Sequence, residues 1–68
     1  MNTISVDEQK LLLADRIALW KRTEYQSTID FKVGEKLEDE TMKKNSTDNM
    51  KRCIMAIELL EEELKKLF

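Results

Sequence analysis

Residues 43–49 read Lys43-Lys44-Asn45-Ser46-Thr47-Asp48-Asn49, and the fold follows from where a turn is set in this stretch. Two cations suit the C-terminal end of a helix, and the residues after them are cap and turn formers. Ser46 or Thr47 can N-cap a following helix, with Asp48 placed favourably in its first turn. Upstream, Ser5-Val6-Asp7-Glu8 has the form of a capping box, so the first helix starts near Val6. Between these points the chain has no proline and a single glycine, Gly34, among good helix formers. The pattern predicts one domain over 1–68: a helix over about 6–43, a loop over about 44–47 and a helix over about 48–68.

The lengths of these two helices differ. At about 1.5 Å per residue the first spans roughly 57 Å and the second roughly 32 Å. A hairpin made from them leaves Leu11-Leu12-Leu13-Ala14-Asp15-Arg16-Ile17-Ala18-Leu19-Trp20 overhanging, apolar around most of its circumference. Such a segment needs a partner surface, and self-association supplies one.

Periodicity leads to the same expectation. Met50, Cys53, Ile57, Leu60, Leu64 and Leu67 follow a 3-4-3-4-3 spacing, a heptad seam along the second helix. Glu58, Glu61, Glu62 and Lys65 lie largely opposite it. The first helix carries two stripes. Leu11, Ala14, Ala18, Tyr25, Ile29 and Val33 fall in a sector roughly 100° wide, while Val6, Leu13, Ile17, Trp20, Phe31 and Met42 lie on nearly the other side. Two stripes imply two neighbours: the chain's own second helix and a second copy. The expected fold is all-α, a long antiparallel, coiled-coil-like hairpin that self-associates into a helical bundle. The expected oligomer interface comprises Leu11, Leu12, Leu13, Ile17, Trp20 and Phe31. The alternative is a monomeric three-helix bundle, because Thr23, Thr28, Ile29 and Val33 are β-branched and Ser27-Thr28-Ile29-Asp30 could cap a new helix.

Composition limits what such a domain can do. A core of this size is marginal and usually needs a staple. With 68 residues, one cysteine and no histidine, an internal disulfide is excluded and a tetrahedral zinc site is not expected, which leaves oligomerisation. A lone thiol fits a reducing compartment, and Cys53 sits on the seam, where it behaves as a small hydrophobe. The longest uncharged apolar run, Cys53 to Ile57, is far short of a membrane span, and the start of the chain lacks the pattern of a signal peptide, so the expected location is the cytoplasm without membrane contact. Twelve basic and fourteen acidic residues give a net charge of −2 and no global pull toward nucleic acid.

Catalytic motifs are absent from the sequence: no histidine, no nucleophile beside a base, no glycine-rich phosphate loop. The acidic runs Glu38-Asp39-Glu40 and Glu61-Glu62-Glu63 read as solvated helix surface. The chain is therefore expected to be a non-enzymatic protein with no cofactor, no metal and no catalytic residue. Two basic features could bind something. Lys43, Lys44, Lys51 and Arg52 would surround the hairpin tip and could meet an acidic protein partner. Arg16, Trp20, Lys21, Arg22 and Tyr25 interleave cations with aromatics, which could hold a small anionic ligand such as a nucleotide. In size and style the chain resembles the short helical accessory proteins of phages and mobile elements, a resemblance that implies an inhibitor or adaptor.

Overall fold

The computed structural model describes residues 4–68; residues 1–3 of the expected 1–68 domain lie outside the described residues. Two helices, α1 (Val6–Leu37) and α2 (Glu40–Lys65), pack against each other as an antiparallel hairpin 49 Å long. The start of α1 forms as expected: the Glu8 N–H donates to Ser5 Oγ at 3.2 Å. α1 then runs unbroken through Tyr25 to Gly34, so the three-helix alternative does not arise. Thr23 and Thr28 are accommodated because their hydroxyls donate back to the carbonyls of Leu19 and Glu24.

The turn is not where residues 43–49 suggested. It lies at Glu38 and Asp39, and the expected loop over 44–47 is helical. Glu38 adopts the left-handed conformation (φ 54°, ψ 39°). Its N–H donates to the Glu35 carbonyl at 3.2 Å, and the Asp39 N–H donates to the Gly34 carbonyl at 2.8 Å. This is a Schellman motif built without glycine. Asp39 is at the same time the N-cap of α2, accepting from the Met42 N–H at 3.0 Å.

Comparing magnitudes explains the choice. A left-handed residue other than glycine costs about 1–2 kcal/mol, and setting aside the Asn45–Asp48 cap signals costs about 1 kcal/mol more. Moving the turn back starts α2 at Glu40 instead of near Asp48. That added length lets the far end of α2 reach Leu13, Ile17 and Trp20, each worth about 1.5–3 kcal/mol if fully buried. Burial wins, and the overhang disappears. The Lys10 ammonium lies 4.0 Å from the centre of the Phe68 ring, which ties the start of α1 to the end of the chain.

The burial of α2 follows the positions of its heptad. Cys53 and Ile57 are buried, and Met50, Leu60, Leu64 and Leu67 are half-buried. The seam continues backward through Ser46, which is buried, to Lys43. The facing seam on α1 runs Leu13, Ile17, Trp20, Glu24, Ser27, Phe31 and Gly34, again at alternating spacings of four and three. Met42 was assigned by phase to the first helix; it belongs to α2, and Gly34 faces it and Lys43.

Near the turn the helices approach closely. A Cβ added to Gly34 would lie 3.0 Å from Lys43 Cγ, 3.2 Å from the Lys43 backbone nitrogen and 3.3 Å from Met42 Cγ. Small residues at Ser27, Ser46 and Cys53 continue this narrow end of the seam, whereas Leu13, Trp20, Leu60 and Leu64 fill the open end.

Two substitutions test this turn. Glycine-to-alanine changes inside helices normally stabilise by about 1 kcal/mol; Gly34→Ala is expected to destabilise instead, by about 1–3 kcal/mol, because the backbone of α2 stands in the way. Glu38→Gly should raise stability by about 0.5–1 kcal/mol by removing the left-handed strain. Urea titrations followed by circular dichroism measure both changes, and the opposite sign in either would mean the turn is elsewhere.

Candidate functional site

Because α2 covers only one side of α1, the other side is left open. Leu11, Leu12, Leu19, Tyr25, Ile29 and Val33 are all exposed, from 42% at Val33 to 67% at Tyr25. They occupy the outer positions of the α1 heptad, away from the seam. Charged residues stand between them on the same outer surface: Asp15, Arg22, Lys32 and Lys36. Isolated exposed apolar side chains are ordinary, but six along one side of one helix form a patch of the kind that marks an interaction surface. α2 adds Ile54, Met55 and Leu59 as exposed apolar residues on its own outward sides.

The expected oligomer interface divides in two. Ile17 is buried and Leu13, Trp20 and Phe31 are half-buried within the hairpin, so these four serve the intramolecular seam. Leu11 and Leu12 are exposed and belong to the open side. The stripe that is left open is thus the one through Leu11, Tyr25, Ile29 and Val33. The two stripes were legible, but which one faced α2 depended on the position of the turn.

Neither basic cluster keeps its expected form. The hairpin tip carries Glu35, Glu38, Asp39 and Glu40, and is predominantly acidic. Lys43 is half-buried just after it, paired with Glu40 at 3.3 Å and 5.9 Å from the centre of the Phe31 ring. Lys44, Lys51 and Arg52 are exposed along the outer side of α2 and form no ion pair among the described residues. On α1, Trp20 turns toward α2 and is half-buried, whereas Tyr25 faces outward; Arg16, Lys21 and Arg22 are exposed and spread around the circumference between them. The five do not converge on one point in a single hairpin.

Other geometry is sparse. The grooves beside the seam are shallow; one is lined by Ala14, Ile17, Glu61, Leu64, Lys65 and Phe68. Among the described residues no group of three or more acidic, cysteine or histidine side chains could hold a metal ion, and no helix is long and apolar enough to cross a membrane. Comparison with protein-family models, curated proteins and solved structures gave no match.

The different roles of the two surfaces of α2 can be measured. Ile57→Asp would put a carboxylate on the closed seam, where burial without a partner costs several kcal/mol, a large share of what a small domain has. Loss of the helical circular dichroism signal is expected. Met55→Asp, two residues away at a position 69% exposed, should leave the melting temperature within a few degrees. Equal effects of the two would show that the seam is misplaced.

Proposed function

We propose that this protein acts by association and not by catalysis: it pairs with itself through the open side of α1 and presents its remaining surface to a macromolecular partner, as an adaptor or inhibitor. One observation carries this reading. A helix whose seam is already filled by α2 exposes a second row of large apolar side chains from Leu11 to Val33. Leaving such a row in water has a free-energy cost of about 25 cal/mol per Å² of apolar surface, which association recovers. The hairpin also has reason to associate for its own stability, since few of its described residues are buried.

The surface left for a partner is the outer side of α2. Its first half carries the unpaired cations Lys44, Lys51 and Arg52, while its second half carries Glu58, Glu61 and Glu62. Unpaired cations on a regular helix face suit an acidic protein surface, with electrostatic steering that weakens as salt is raised.

Sedimentation of the purified chain at micromolar to submillimolar concentration tests self-association, and a monomer throughout would refute it. Co-purification tests the partner. Lys51→Glu with Arg52→Glu should leave fold and oligomer intact but abolish capture of an acidic protein, and retention of that protein would remove this surface from consideration.

A further inference from the structure

The open side of α1 is complementary to itself when two copies run antiparallel. Leu11, Asp15, Ala18, Arg22, Tyr25, Ile29, Lys32 and Lys36 follow one another at spacings of 4-3-4-3-4-3-4, a second heptad seam on the side of α1 away from α2. We propose that a second copy of this chain covers this seam, antiparallel, about a twofold axis midway between Arg22 and Tyr25. This rests on the self-association proposed above and specifies its orientation and register.

Charge selects this arrangement. About that axis Asp15 meets Lys32 of the second copy, Ala18 meets Ile29, Arg22 lies over Tyr25, and Leu11 packs on the methylene stem of Lys36. Alongside, Leu12 meets Val33. By the twofold symmetry each of these contacts occurs twice. Asp15, Arg22 and Lys32 form no ion pair among the described residues, so each is available for the contact described. The inner layers each join opposite charges, a cation and a ring, or two apolar groups, and the outermost joins Leu11 to the stem of Lys36. The neighbouring registers are worse. A shift of one heptad in one direction shortens the overlap and sets Arg22 against Lys32, two cations; a shift in the other sets Asp15 against Tyr25 and Arg22 against Ala18, which leaves both charges without an opposite partner. A parallel pairing stacks Asp15, Arg22 and Lys32 each on its own copy, and like charges in contact oppose association. The paired segment, from Leu11 to Lys36, is roughly 38 Å long at 1.5 Å rise per residue.

Charge reversal tests both the orientation and the register. Asp15→Lys alone and Lys32→Asp alone each create two like-charge contacts per dimer and should weaken dimerisation by about tenfold or more in sedimentation equilibrium. Combining the two substitutions restores opposite pairs and should bring the dissociation constant back close to that of the unaltered chain. Both positions are exposed, and unchanged circular dichroism confirms that each variant folds. If the unaltered chain dimerises and the single reversals leave the dissociation constant unchanged, or the combined variant stays as weak as the singles, the register is overturned while self-association stands. If the unaltered chain is monomeric at every concentration, both are overturned.

Discussion

The Schellman turn at Glu38 and Asp39 holds Gly34 against Lys43, and the levels of the other residues along the hairpin follow from that contact. From there the antiparallel register brings Thr28 beside Met50, whose sulfur lies 3.4 Å from the Thr28 hydroxyl, and Lys10 over the Phe68 ring. Helices joined by two residues cannot slide independently. A turn one or two residues further along would carry Ile57 and Leu60 away from Trp20 and Ile17, rotating polar residues into the seam.

The seam itself is graded. At the turn, glycine and serine allow the backbones to approach; at the open end, leucines and a tryptophan hold them apart. Close approach limits how much apolar surface the narrow end can bury, so most of the hydrophobic stabilisation lies in the wide end, farthest from the turn. The buried residues are Ile17, Ser27, Gly34, Ser46, Cys53 and Ile57 among those described, and two of these are serines. A two-helix protein with so small a core gains from any further contact that removes apolar surface from water.

That need and the exposed row on α1 are two aspects of one constraint. α1 is apolar on both sides, and a single neighbour can cover only one of them. α2 differs in degree: away from its seam it exposes Ile54, Met55 and Leu59 among more numerous charged residues, so the longer apolar row is the one on α1. The proposed association places the second neighbour on α1 and leaves the outer side of α2, basic toward the turn and acidic toward the C-terminus, free to select a partner by charge.

Much of this was readable from residue order. The all-helical character, the start at Ser5, the heptad from Met50 to Leu67 and the two stripes on the first helix all follow from local propensity and spacing, which neighbouring residues determine among themselves. The turn was not readable. Asn45-Ser46-Thr47-Asp48 carries the stronger local signals, whereas Glu38-Asp39 has a left-handed glutamate that no local rule favours. Met42 also misled, because its phase suits the stripe of the first helix. The half of the α1 seam containing Glu24, Ser27 and Gly34 escaped notice since none of these is a large hydrophobe. Their role arises only when a second backbone comes close. Local sequence determined that there would be helices and which positions could be buried; tertiary packing decided where the chain reversed and which stripe was left open. The physical reason is that burying Leu13, Ile17 and Trp20 against the far end of α2 is worth more than a cap or a favourable turn residue, and that gain depends on residues some forty positions apart.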